Sequence, residues 1–503
     1  VRQNADGNKQ SSVNWRRRSH CQFLNGTTPA IRKTCAGMKN ISTRARSDSL
    51  SPLLAEATRL YESGNLVRAE QTIRMFLAGH PEHAEGLHIL GLIAHASHHY
   101  EDAEAFLRRA LSMRRGDPAI CNNLGLALQA QGKYEDAIRL LRRAVSARPD
   151  NAVFHLNLGS ALKDSDDIDL ALTSLGRAIG LDPMLADAHF GRALCLLALG
   201  RIDEAWTEYE WRKTVARAAD NSPTAVLVQR PSRMSPADLH GKRILILEDQ
   251  GLGDALFFLR YGPKAKSLGA WLTYRGSPEL SQLLSQLPWL DAIVDRSTPV
   301  PVHDVAFLAG DLPLVAGNSR DGLPAALAFI PNERIRDSVR ARLALVGPPP
   351  YLGITWRAGK EAIVGMNRTL RKSVPLALFA QALSGWPGTA VVLQRAPSSE
   401  EIAAFARESG LPTADLSTCN DDLAMMLALL DIIDEYAGVS NTNMHLRAGL
   451  YKTARVLIPS PPEWRWTSNL QRSPWFPDFA LYREDRKRGW ERALRNLRSD
   501  VTG

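Results

Sequence analysis

Two patterns of apolar and polar positions divide this chain. From about Ser51 to Arg212, small residues recur every 34 positions. Ala69, Ala103, Ala137, Ala171 and Ala205 form one series, Gly91, Gly125 and Gly159 a second that Ala193 continues, and Ala110, Ala144 and Ala178 a third. Pro81, Pro149 and Pro183 close three of the units. Small residues at fixed places let two antiparallel helices pack closely, and proline stops the second before the next unit begins. The spacing predicts a solenoid of five repeats, two helices each, over residues 51–215. After Arg212 the helical period stops, and the Ala-, Ser- and Pro-rich stretch 216–240 reads as a linker draped over the next domain. From Arg243 short apolar runs alternate with helical patterns, which predicts parallel βα units. "RILILE", "AWLTYR", "DAIVD" and "DVAFLA" are the expected strands of a lobe over 241–346, followed by a helix near Glu333 to Leu345 and the turn "GPPP". "YLGITW", "AVVLQ", "EYAGV" and "ARVLIP" are those of a second lobe over 347–503, which ends in a helix. Two doubly wound, Rossmann-like lobes place a cleft at the carboxyl ends of their strands, the default ligand site.

Segments such as "NNLGLALQAQGKYEDAIRLLRRAVSARP" resemble the tetratricopeptide repeat at nearly every defining position. The resemblance implies a concave groove that takes a peptide or protein segment. Asn123 and Asn157, equivalent in adjacent repeats, are the candidates to grip its backbone. The acidic turn "KDSDDID" mimics a metal-binding DxD, but it falls between the two helices of repeat four, where a solvated loop is expected.

At "EDQGLGDALFFLRY" the first strand runs into a glycine turn and a helix. The third glycine of a G-x-G-x-x-G would fall on Leu256, whose bulk opposes close helix–strand packing, so a dinucleotide fingerprint is disfavoured. No Lys-Ser/Thr follows, so it is not a P-loop. What is left is Asp254 at a helix start facing the cleft. Capping alone explains such a residue, at roughly 0.5–2 kcal/mol.

That motif together with "GITWRAG", "GVSNTNMHLRAG" and "PSPPEWRW", in this order after the repeats, resembles a bacterial family that joins tetratricopeptide repeats to a GT-B glycosyltransferase-like module related to the lipopolysaccharide heptosyltransferases. "DEAWTEYEWR" resembles the family's junction, and the layout is similar to that of the protein O-linked N-acetylglucosamine transferases. The resemblance implies a GT-B pair of lobes and an inverting, metal-independent sugar transfer from a nucleotide-sugar donor to a protein or glycan, with no further cofactor. Gly253 and Asp254 match the heptosyltransferase "GD", which makes Asp254 the candidate base behind the Gly251 turn. Gly438, Val439, Ser440, Asn441, Thr442, His445 and Leu446 align with the loop and helix start that hold the donor diphosphate. The usual Asp-Thr pair is Ser440-Asn441 here, which also opens the rival reading of a non-catalytic repeat scaffold with a degenerate module. Arg357, next to Trp356, with Arg368, Arg371 and Lys372 in the following loop, is expected to supply phosphate-binding charge. Trp464, Arg465 and Trp466 suit stacking on a base or sugar, and suit core packing equally well.

Charge changes this picture little. The formal net charge is +9, but residues 1–50 hold ten Lys/Arg against two acids, which leaves 52 basic and 51 acidic residues elsewhere. The basic leader is expected to be disordered. Nucleic acid is not an expected partner, since its only attraction would be this salt-sensitive tail. The leader loosely resembles a transit peptide, and a start at Met38 is the preferred expectation. Five cysteines without a CxxC pair, and no apolar run of membrane length, point to free thiols in the cytoplasm.

Overall fold

The computed structural model describes residues 52–212, 234–317, 322–358, 372–468 and 470–502. The leader and most of the expected linker lie outside them. Ten helices form the solenoid: α1 (Pro52–Glu62), α2 (Leu66–Gly79), α3 (Ala84–Ala96), α4 (Tyr100–Met113), α5 (Pro118–Ala130), α6 (Tyr134–Ala147), α7 (Ala152–Asp164), α8 (Ile168–Leu181), α9 (Ala186–Ala198) and α10 (Ile202–Tyr209). Their starts are written locally. Asp117 accepts from the amides of Ala119 and Ile120 with Pro118 in the first turn, and Asn151 accepts from that of Phe154. The 34-residue series are the contact points. A Cβ on Gly91, Gly125 or Gly159 would stand 2.6, 2.7 or 2.7 Å from the Cγ of Leu107, Leu141 or Leu175, themselves spaced by 34. The turn inside each repeat needs one residue at positive φ, met by Gly64, His98, Gly132, Asp166 and Gly200.

The C-terminal part holds two wholly parallel sheets. The first joins β1 (Arg243–Leu247), β2 (Trp271–Gly276), β3 (Ala292–Asp295) and β4 (Val305–Leu308) in the order β3-β2-β1-β4. Its helices are α11 (Leu252–Leu259), α12 (Gly262–Ser267), α13 (Pro278–Leu284) and α14 (Leu312–Val315). Helix α15 (Glu333–Val346) leads to the second sheet, of β5 (Tyr351–Thr355), β6 (Thr389–Val392), β7 (Thr413–Asp415), β8 (Glu435–Val439), β9 (Arg455–Ile458) and β10 (Ala480–Arg483), in the order β10-β9-β8-β5-β6-β7. Between these strands run α16 (Leu376–Leu383), α17 (Ser399–Ser409), α18 (Leu423–Ile432) and α19 (Thr442–Gly449), with α20 (Glu491–Thr502) at the end. The eight strands expected from the apolar runs are present. β7 and β10 were not expected: one is three residues long, and the other carries only Tyr482 as a strong strand former.

One apolar core unites the last repeat with both sheets. It runs from Leu196, Trp206 and Tyr209 through Phe257, Phe258 and Tyr274 to Tyr436, Val456 and Trp466. Full burial of one such aliphatic or aromatic side chain is worth roughly 1.5–3 kcal/mol, so this shared core ties solenoid to sheets. Polar contacts add to it. Arg212, just past α10, pairs with Asp249 at 2.9 Å and Asp311 at 2.7 Å. The repeat-four turn, expected as a solvated loop, is instead a docking point. Asp164 and Ser165 are buried, Ser468 Oγ donates to Asp166 at 2.8 Å, and Arg486 donates to the Ser165 carbonyl.

Candidate functional site

Strand order locates the site. In the first sheet the chain changes direction between β1 and β4, and in the second between β5 and β8. A crevice forms at the carboxyl ends of strands at such reversals. The β1 end carries the turn that leads to Asp254, the β5 end Thr355 to Arg357, and the β8 end Ser440 and Asn441. Helices α11 and α19 start at these places and pack on each other, so close that a Cβ at Gly253 would lie 3.2 Å from His445 Cδ2 and 3.5 Å from Thr442 Oγ1. Gly253, next to Asp254, therefore meets Thr442 and His445, which are distant from it in sequence.

Asp254 does two things. Its carboxylate accepts from the Gly251 amide at 3.3 Å, capping α11, and it pairs with Arg465, which comes from the second lobe. Arg465 also pairs with Glu463, which accepts from Lys372 Nζ at 2.6 Å and from Ser440 Oγ at 3.1 Å. An alternating chain of charge thus links the two lobes: Asp254, Arg465, Glu463, Lys372. Burial pushes the Glu463 carboxyl up, but Lys372 and Arg465 outweigh it and hold the group well below the ordinary carboxylate range. Burial opposes the charge on Arg465, and Asp254 and Glu463 overcome it and raise its pKa. Burial first, and then the charges of Arg465 and Arg260, push His445 well below its usual value, so it is a neutral imidazole between Phe257 and Phe476.

Lys372 is held by a short antiparallel bridge, in which the Ala358 amide donates to its carbonyl at 2.8 Å and Val374 donates to Trp356. Arg368 and Arg371 fall outside the described residues. Asn441 caps α19 through the Asn443 amide and donates to Thr355 Oγ1 and Tyr436 OH, both at 3.0 Å. Trp356 and Arg357 are not with this group. Trp356 is buried, stacks on Phe405 and donates from Nε1 to Glu401. Arg357 pairs with Glu401 at 3.0 Å and reaches the carbonyls of Arg395 and Ala396. Trp464 packs edge-on against Trp206, Phe257 and Trp475, and Trp466 stacks on Phe476, so both serve the core.

The Asn ladder of the solenoid exists but faces inward. Asn157 donates to Asn122, Asn122 to Asn123, and Asn123 meets His88 Nε2 at 2.7 Å. All four residues are buried, so these amides join neighbouring repeats rather than line an open groove. Sequence reading missed Glu463, and it saw Arg465 only as part of an aromatic motif. The one signal was an acid and a base two apart in "EWRW", which has no meaning until the start of α11 is placed beside it. Among the described residues no group of His, Cys, Asp and Glu is arranged to hold a metal ion, and no helix is long and apolar enough to cross a membrane.

Comparison with known proteins places the helical part in a class. Residues 54–118, 94–161, 128–177 and 156–212 match models of the tetratricopeptide repeat, so the solenoid is built of these repeats. Protein FlbA of Caulobacter vibrioides is 28% identical over 333 residues, covering 61% of this chain and 53% of that protein. This chain thus spans about half the length of the curated relative it matches. The matched share exceeds what either the helical or the sheet-containing part supplies by itself, so the similarity enters both. Among solved structures, MamA from Desulfovibrio magneticus RS-1 is 20% identical over 35% of this chain and 97% of its own, at a TM-score of 0.29. MamA from strain AMB-1 is 21% identical over 34% and 92%, at 0.28.

Proposed function

We propose that the solenoid holds a protein segment while the cleft transfers a sugar to it, or to a glycan it carries, from a nucleotide-activated donor. Tetratricopeptide repeats suggest protein–protein interaction; the transfer is the finer reading, in which the two sheets are GT-B lobes. The observation that carries it is the Asp254–Arg465 pair, a carboxylate on one lobe held by a cation from the other at the strand ends.

In the reaction, an acceptor hydroxyl oxygen attacks the anomeric carbon as the bond from that carbon to the diphosphate breaks. The hydroxyl proton passes to the Asp254 carboxylate, and the nucleoside diphosphate leaves with the bonding electrons. Its charge is met by Arg465, Lys372 and the amides that open α19. Donor binding and base release are then one event: the diphosphate draws Arg465 from Asp254 and frees the base.

A second reading, a non-catalytic scaffold, is favoured by Ser440 and Asn441, whose side chains are engaged with Glu463, Thr355 and Tyr436. One experiment separates the two. Nucleotide sugars are titrated calorimetrically into the full chain and into D254N, and transfer to acceptor protein is followed with a labelled donor. The transferase reading expects donor binding in both proteins and turnover in the wild type, reduced about 100-fold or more in D254N. A wild-type chain that binds no nucleotide sugar at millimolar concentration is the scaffold.

A further inference from the structure

We propose that the lobe of the first sheet carries a second ligand site, separate from the cleft, for an amphiphilic anion: an apolar body that ends in a carboxylate or phosphate. A cavity of about 540 Å³ lies between the C-terminal end of α11, the segment Gln286–Trp289 and the stretch 324–330. That volume is in the range of small-molecule pockets. Most of the wall is apolar, with Leu287, Trp289 and Leu327 among its residues, and its polar members are Arg260, Lys264 and Gln286. No acid lines it.

Arg260 is the anomaly. It is 2% exposed, sits over the faces of Phe257 and Phe476 at 4.5 and 5.1 Å, and donates from one terminal nitrogen to the Trp475 carbonyl at 3.2 Å. Its Nε has no hydrogen-bond partner. The other buried arginines of the described residues are compensated. Arg212 and Arg465 each pair with two carboxylates, and Arg447 donates to the carbonyls of Leu430, Ile433, Asp434 and Thr453. Burial, and after it the charge of Arg465, lowers Arg260 to about 10, so it stays cationic at neutral pH. A buried charge without a counter-ion is costly, because it has lost its hydration with no partner to replace it. An anion in the adjoining cavity removes that cost, with exposed Lys264 at the wall as the second cation. The apolar lining requires that the rest of the ligand be apolar, which a nucleotide sugar is not. Arg260 lies six residues beyond Asp254, about 9 Å along the helix axis. None of Asp254, Lys372, His445, Glu463 or Arg465 lines the cavity, so its occupant is distinct from one in the cleft, although Arg260 rests on the same Phe257 and Phe476 rings as His445; the proposal holds whether or not the transferase reading does.

The test is calorimetry on the full chain with octanoate and octyl phosphate, against octanol, which has the chain without charge, and inorganic phosphate, which has charge without the chain. The expected result is saturable binding of at least one of the two amphiphilic anions, one per protein. The two controls bind weaker by about ten-fold or more. Octanoate against octyl phosphate tells which head group the site prefers. R260M weakens both anions to the level of octanol, and A326F, which fills the cavity from its wall, abolishes binding while the helical circular dichroism stays unchanged. Octanol binding as tightly as the anions, unsaturable uptake, or undiminished anion binding by R260M overturns the site. Should R260M not fold, undiminished octanoate binding by A326F does the same.

Discussion

Arg212→Met tests how the solenoid is joined to the sheets. The guanidinium is 7% exposed, lies 4.8 Å from the Tyr209 ring, and bridges Asp249 (12% exposed) and Asp311 (1%) through hydrogen bonds of 2.7–3.1 Å. Burial opposes its charge, and Asp311 and then Asp249 raise its pKa well above the ordinary value. Methionine preserves much of the apolar stem but strands both carboxylates. Removal of one partner from a buried pair costs about 3–5 kcal/mol, because the remaining charge is uncompensated. Exposed pairs such as Arg201–Glu204 are worth well under 1 kcal/mol and serve as the control. The assay is urea unfolding read by far-ultraviolet circular dichroism, to which the solenoid is the main helical contributor, and by tryptophan fluorescence, which is blind to the first four repeats because every tryptophan of the described residues lies in the last repeat, at its edge or in the sheet-containing part. R212M is expected to lower the junction transition by about 3–5 kcal/mol and to separate it from that of the outer repeats. R212M/D249N/D311N recovers most of the loss, since no charge is then stranded. A loss below about 1 kcal/mol in R212M, or no recovery in the triple variant, refutes the reasoning.

Three further outcomes follow from the same geometry. G159A places a Cβ 2.7 Å from Leu175 and is expected to lose about 1–3 kcal/mol in thermal or urea unfolding. G176A, mid-helix with nothing within 4 Å, is expected to gain up to about 1 kcal/mol in the same assay. Burial lowers His88 to about 4, so the unfolded chain takes up this proton first. Its contribution is complete above about pH 6.5 and is lost as pH falls toward 4, at up to about 1.4 kcal/mol per pH unit, and H88N should flatten that slope in urea titrations.

How much of this was legible beforehand differs by level. The repeats were, because close helix packing demands a small residue at each crossing, and that demand repeats with the unit. Even the positive-φ turn keeps the period, although Asp166 stands where three repeats use glycine and its carboxylate reaches Ser468. The parallel strands were legible because burial on both faces writes continuous apolar runs. Strand β7 was not, since three residues carry no period. Nor was the fate of the polar side chains: Asn123 turns inward to His88, Trp356 and Arg357 go to Glu401, and Asp254 finds Arg465. Periodicity is a local constraint, imposed by neighbours a turn or a strand apart, so it can be read along the chain. The partner of a charge is settled by which strand ends the sheet order brings together, and 211 residues separate Asp254 from Arg465. Only the packed lobes could decide that contact, because in the extended chain each is one ion among many.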